Sequence, residues 1–498
     1  MGRTVQISRG QVRGHERGDG IFSWLGVPYA AAPVGDLRWQ LPQPVEAWSG
    51  VRDCTAWGAP ALQPQTPLPA GMPQVTGLPA GMPQPSEDCL YINVTAPAAA
   101  ENAPVLVWVH LGGYQTGSGY DKVEDGAVFA KDFGAVVVSF NYRLGPLGFL
   151  ALPGEKTTGA YGLHDQIAAL RWVHENIAAF GGDPGRVTVY GVSAGAKSVA
   201  NLMASPMAKG LFQQAASGSG GGDHVATDEQ ARIITAEYLR VLGTTADRLR
   251  DISAANLLAA QNALAQGLRA TWLWRPAVDG AALTRLPVDV VTEGGAAGIT
   301  LLAQHCVNEC ELFQLAVPDS CEQSDRVMEE NFGENGRDQL FAAYADAQPD
   351  RDRRQTRVDI MSADRYIIPT VRLADGQSAH ATVWRSRFDG PLTGLPDTLV
   401  PGGTLAAVHS TDARGVFQGG DGADGQMHAA WGAFVTTGNP NAAGLPDWPK
   451  YTTADRSTMI FHNELTRVES DPQAPLRKAW DGKEWVSGTW WEFDGGIR

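Results

Sequence analysis

Cysteine is scarce in this chain: five residues (Cys54, Cys89, Cys306, Cys310 and Cys321) among 498. An odd number in so long a sequence excludes the dense disulfide framework of a small secreted domain. The C-x2-C pairs usual in zinc sites are missing as well, so the cluster "HCVNEC" from His305 to Cys310 is read as no metal centre. Long apolar runs are absent. No stretch approaches the ~18 residues that cross a bilayer, and the opening "MGRTVQISRGQVRG" carries no apolar export segment. A soluble, cytoplasmic chain with no membrane partner is expected, and the sequon Asn93-Val94-Thr95 reads as coincidence. Positive charge is also in short supply: 39 Lys and Arg against 54 Asp and Glu leave a net charge of −15. Such a field repels nucleic acid and anionic surfaces, and so excludes them as partners.

The remaining composition, 43% hydrophobic and 19% charged, is that of a globular protein with a sizeable core. Short, Val-rich runs at 104–110, 134–142, 186–191 and 298–304 read as central strands covered on both faces. Helical patterns alternate with them, clearest at 165–182, where Ile167, Leu170, Val173 and Ile177 recur at helical spacing, and at 426–441. The fold class is therefore α/β, a mostly parallel sheet with helices on both faces. The repeated "LPAGMPQ" at 68–74 and 78–84 is too short for a solenoid unit and reads as a surface loop. No composition shift marks a linker, so one large domain with insertions is expected.

The chemistry gathers around "YGVSAGA", where Gly191, Ser193 and Gly195 form a G-x-S-x-G pattern between a strand and a helix. That context turns the serine sharply to the top of the sheet as a nucleophile. A serine hydroxyl needs a base, and the base needs an orienting carboxylate. His409 follows an apolar stretch and opens a polar loop, whereas His174 and His428 fall within helices. The acid belongs between serine and histidine in chain order. Glu309, just beyond the strand at 298–304, fits best, with Asp279 and Asp412 as rivals. The glycine-rich "HLGGYQTGSG" after the strand at 104–110 supplies oxyanion donors, the N–H groups of Gly112 and Gly113 joining that of Ala194.

Over nearly its whole length the sequence resembles the type-B carboxylesterases, α/β-hydrolases that include cholinesterases and bacterial para-nitrobenzyl esterases. The likeness is carried by "FSWLGVPYAAAPVGDLRW", "SEDCLYINV", "NYRLGPLGFL", "GLHDQIAALRWVHENIAAFGGDPGRVTVYGVSAG" and "WGAFVTTGNPN". It implies an α/β-hydrolase fold whose long insertions form a gorge, and a Ser193–Glu309–His409 triad that hydrolyses carboxylic esters through an acyl-enzyme without a cofactor. It favours Glu309 over Asp279 and sets Ser219 beside the acid. It also implies that Leu111, Tyr114, Val192, Trp272 and Trp274 face the substrate, a neutral, hydrophobic ester.

Three positions depart from the family's pattern. Leu111 replaces the first glycine of the oxyanion loop, Val192 the usual glutamate before the nucleophile, and Cys310 a glycine beside the acid. The family's first disulfide is not inherited, because Ala61 stands where one cysteine would be, and a Cys54–Cys89 bond is left as an open alternative. The same triad would also serve a carbamate, amide or lactone hydrolase or an acyltransferase; a non-catalytic binding protein of this fold is the reading from another class. Composition leaves the oligomeric state open.

Overall fold

The computed structural model describes residues 2–64, 82–120, 124–154, 158–264, 273–316, 320–397, 400, 402–485, 492–493 and 496–497. Both copies of "LPAGMPQ" fall wholly or largely outside them, as does Trp272. An antiparallel meander of β1 (Gly2–Ile7), β2 (Gly10–Gly18) and β3 (Ile21–Pro28) is followed by β4 (Val51–Asp53), parallel to β2, and by β5 (Tyr91–Pro97), which pairs with β3. The centre of the sheet is parallel: β6 (Ala103–Val109), β7 (Val136–Phe140), β8 (Gly182–Val192), β9 (Gln214–Gly218), β10 (Thr300–Cys306), β11 (Val383–Phe388) and β12 (Ser457–Phe461). Their spatial order is β7-β6-β8-β9-β10-β11-β12, and the antiparallel β13 (Arg467–Ser470) closes that edge. Among the described residues the sheet has thirteen strands.

The parallel strands are buried on both faces because alternate side chains feed two cores. Val105, Val107 and Val109 of β6 and Val187 and Val189 of β8 enter one core with Ile167, Leu170 and Val199. Leu106 and Trp108 of β6 and Tyr190 and Val192 of β8 enter the other with Phe129, Phe417 and Trp431. All four predicted strands are present. The predicted helix at 165–182 starts earlier and is formed by Tyr161–Asn176 followed by a 3-10 turn, Ile177–Phe180. The one predicted at 426–441 spans Gly422–Thr437 and stops where Gly438, at φ 77°, takes the left-handed conformation that ends helices.

Candidate active site

β8 ends at Val192 and the helix Ala194–Ala204 begins two residues later. Ser193 alone makes the turn, with φ 59° and ψ −124°, a conformation that costs a non-glycine residue about 1–3 kcal/mol. Its backbone is held on both sides: its N–H donates to Gly218 at 2.9 Å, and its carbonyl accepts from Lys197 N–H at 2.9 Å. The flanking glycines are there for space. A Cβ on Gly191 would lie 2.3 Å from the carbonyl carbon of Gly195, and one on Gly195 would lie 2.0 Å from the Val109 oxygen at the end of β6. Both contacts are sterically forbidden, so the helix can start against the sheet only with glycine at each position.

Glu309 and His409, the expected acid and base, come from two loops at the carboxyl end of the sheet. Glu309 follows β10 and is fully buried. Its Oε1 accepts from Ser219 Oγ at 2.6 Å and from Cys306 N–H at 2.8 Å, while its Oε2 lies 2.6 Å from His409 Nδ1. Three partners fix the carboxylate, and the carboxylate fixes the imidazole with Nε2 turned away from it. The loops are also stitched along their backbones, His409 N–H donating to Glu309 at 3.2 Å and Asn308 N–H to Ala407 at 2.9 Å. His409 Nε2 bonds to no group among the described residues and is the nitrogen left to take a proton.

Two rival carboxylates are engaged elsewhere. Asp279 pairs with His164 at 2.7 Å and caps the turn that follows it. Asp412 is fully buried and accepts from Gln304 Nε2 at 2.6 Å; burial pushes its carboxyl up to about 6.

The oxyanion side is a cradle of backbone. Gly112 has φ 118°, and a Cβ there would come within 2.1 Å of the Thr116 oxygen, so the tight loop requires glycine. Gly113 follows with φ 62°. Among the described residues neither glycine donates a backbone hydrogen bond, and Ala194 occupies the first position of its helix, where N–H groups lack intrahelical partners. These donors, with the helix dipole behind Ala194, suit a developing negative charge.

Several residues expected to face the substrate do not. Val192 is fully buried in the second core, because the alternation of β8 that places Tyr190 there places Val192 there too. Tyr114 is equally buried, its ring 4.9 Å from Phe149 and its hydroxyl 3.3 Å from Ser198 Oγ, so it braces the helix Ala194–Ala204. Trp274 packs edge-on at 5.4 Å against Tyr238 in the first core. Leu111 joins the second core and keeps 8% of its surface exposed. The Cys54–Cys89 alternative is not realised: both thiols are free and buried, as are those of Cys306 and Cys310. Asn93 of the sequon lies in β5, its side chain tied to Gly26 N–H and Ser139.

Aromatic neighbours of the base went unnoticed in the sequence. The Tyr366 ring lies tilted with its centre 4.1 Å, and that of Phe313 5.4 Å, from the centre of the His409 ring. An isolated tyrosine inside a helical stretch carries no sequence signal of such a role.

A model of the carboxylesterase family matches residues 2–480. The para-nitrobenzyl esterase of Bacillus subtilis (strain 168) is 36% identical, the match covering 96% of this chain and 98% of that protein. The phenmedipham hydrolase of Pseudarthrobacter oxydans is 33% identical over 92% of this chain and 94% of its own length. Among solved structures, a carboxylesterase from Geobacillus stearothermophilus superposes with a TM-score of 0.83 at 36% identity, covering 96% of this chain and all (100%) of that one.

Proposed function

Since the chain belongs to the carboxylesterase family and is a hydrolase of carboxylic esters, we propose that Ser193, His409 and Glu309 carry out that reaction. Ser193 Oγ attacks the ester carbonyl while its proton passes to His409 Nε2, and the N–H groups of Gly112, Gly113 and Ala194 receive the oxyanion. The same proton then goes to the departing alkoxide, leaving an acyl-serine. Water attacks next, giving its proton to His409, and the acid is released as Oγ recovers a proton from the imidazole. Glu309 orients the ring and stabilises its charged form.

The observation that carries this assignment is the braced pair of Glu309 and His409, 2.6 Å apart, whose Nε2 bonds to no group among the described residues, together with Ser193 on a strained elbow. The substrate is a small molecule, and a neutral, apolar ester is favoured over a cationic one because the residue before Ser193 is Val192 and not a carboxylate, while the rings of Phe313 and Tyr366 add apolar surface at His409. A panel of nitrophenyl esters of increasing acyl length, run with the Ser193→Ala protein, tests the nucleophile; residual turnover above background in the variant refutes it. Matched neutral and trimethylammonium esters test the preference, which a higher kcat/KM for the cationic member at high salt would overturn.

A further inference from the structure

Where β10 and β11 run side by side, one face of the sheet carries buried charge in place of apolar side chains. Parallel pairing sets Ala303 against Arg385 and His305 against Arg387, and His305, Arg385 and Arg387 are all buried. Arg387 spends its guanidinium on both oxygens of Asp389, each at 2.6 Å. His305 offers no compensating charge: neither ring nitrogen bonds to a group among the described residues, and burial, with Arg385 and Arg387 nearby, holds the imidazole well below its ordinary range and so neutral. Arg385 is 2% exposed, donates from Nη1 to Thr458 Oγ1 at 3.0 Å, and leaves Nε without an acceptor among the described residues. The carboxylates that act on it are bonded to other groups, Asp375 to Tyr451 and Arg456, Asp471 to Arg477. A buried guanidinium in that state is costly unless an anion meets it.

Arg385 lines a cavity of about 70 Å³. Its walls include the helices Arg353–Ser362 and Ile368–Ser378, the single π-helical turn Ala363–Ile367 that joins them, and the helix Ala474–Lys478. Two further arginines stand in the lining, and each has a carboxylate there: Arg351 lies 3.3 Å from Asp359, and Arg477 lies 2.9 Å from Asp471. The unmatched charge is that of Arg385. Much of the remaining lining is apolar, with Val307, Tyr344, Ile367, Val371 and Leu476. We propose that this cavity binds a small monocarboxylate with a short aliphatic chain, its carboxylate paired with Arg385 and its chain against the apolar wall. A guanidinium presents parallel N–H donors that fit the two oxygens of a carboxylate, and one negative charge balances the lining. At ~15 Å³ for each water-sized group, the space takes about five such groups, the size of butyrate. Acids of this class are what ester hydrolysis releases, yet none of Ser193, Glu309, His409, Gly112 and Gly113 lines the cavity. Val307, Asn308 and Ala406 do, so the ligand lies against the two loops that bring Glu309 to His409.

Sodium butyrate is the probe, with sodium chloride and sodium nitrate at equal ionic strength beside it. Butyrate should bind saturably by calorimetry and raise the melting temperature by about 1–3 °C at ten times its Kd, whereas the two inorganic salts should not. The binding should persist after a fluorophosphonate has filled the ester site. Arg385→Met keeps the length of the side chain and removes its charge, a change that buried unpaired cations tolerate, and should weaken butyrate by about tenfold or more. Leu476→Phe narrows the cavity, leaves Arg385 in place, and should weaken butyrate to a similar degree. Absence of saturable binding to the parent overturns the proposal. So does equal binding of nitrate or chloride, which makes the cavity a site for inorganic anions, and so does undiminished butyrate binding in either folded variant. Binding that the fluorophosphonate abolishes overturns it as well, by placing butyrate in the ester site.

Discussion

His409 meets Glu309 at 2.6 Å, and His164 meets Asp279 at 2.7 Å. In both pairs the carboxylate side chain is fully buried and the imidazole nearly so. By bond length and burial the two are interchangeable; by surroundings they are not. Asp279 spends its other oxygen on the N–H groups of Ala281 and Leu283, so that pair fastens a turn to the helix Tyr161–Asn176. Glu309 instead takes a serine and a backbone N–H on its far side, and the Nε2 of its histidine bonds to no group among the described residues. A buried histidine–carboxylate pair is thus a common fastening. On the proposed assignment it becomes catalytic where a serine on a strained elbow and N–H groups without a backbone acceptor among the described residues share the carboxyl end of the sheet.

The strongest way to break this comparison is to disable each pair in turn. Replacing Ser193 or His409 by Ala should each remove nearly all turnover, and the double variant should be little worse than either, because the residues act as one unit. Glu309→Gln should lower kcat by about three to four orders of magnitude through loss of imidazole orientation. Additive losses in the double variant would dissolve the unit.

Asp279→Asn should do the reverse, sparing kcat and costing stability. Burial alone would raise the Asp279 carboxyl, but the bonds from His164, Leu283 and Ala281 outweigh it and hold the group below its ordinary value. A depressed carboxylate stabilises the fold above the unfolded pKa, and that contribution is lost as pH falls through the folded one. The variant should therefore unfold more easily by about 1–3 kcal/mol at pH 7, the worth of a charge-assisted bond, with the gap closing on acidification toward pH 3. Chemical denaturation at the two pH values measures this. A large loss of kcat in a folded Asp279→Asn protein would erase the distinction between the pairs.

How much of this was legible in the sequence depends on whether a residue acts through local or through distant geometry. The elbow is local: Gly191 and Gly195, on either side of Ser193, are dictated by sub-3 Å clearances to backbone, and a pattern of spacing records them. The glycine loop at Gly112 is local for the same reason. Glu309 and His409, 100 residues apart, meet only in the folded sheet, and residue position alone left Asp279 and Asp412 in contention. Val192 was expected at the substrate because it stands where the resembling family carries a glutamate before the nucleophile, but strand alternation sends its side chain into the core. Tyr366 was invisible because a π turn changes which face a helical residue presents, and no periodicity announces it.

Asp412 sharpens the comparison as a third carboxylate near the base. It interacts with both Glu309 and His409, but its hydrogen bond is to Gln304. Asp412→Asn should cost less than about tenfold in kcat, since His409 Nδ1 remains with Glu309. Its mark should be on stability. A carboxyl raised to about 6 by burial favours the fold most at low pH, and that advantage is lost as pH rises through the folded value. The asparagine variant should therefore gain stability relative to the parent between pH 4 and pH 7, as read from urea midpoints across that range. A gain that runs the other way would mean that Asp412 is ionised and favourably paired.

The smallest expected effect is none, and it comes from the thiols that surround the acid. Cys306 donates its N–H to Glu309, and Cys310 is its immediate neighbour, so alkylation of either would displace the carboxylate that orients His409. Both are fully buried, and burial pushes the Cys310 thiol up to about 12 and that of Cys306 well above its ordinary range. Cys54 is raised to about 11 for the same reason. Alkylating reagents attack thiolates, which are negligibly populated here at neutral pH, and they need access that these side chains do not offer. Iodoacetamide at pH 7 should leave the esterase rate unchanged over hours, and a chelator should do the same, while a fluorophosphonate abolishes it. Inactivation by iodoacetamide that ester substrate slows would place a reactive thiol at the site and show that the wall around Glu309 opens in solution.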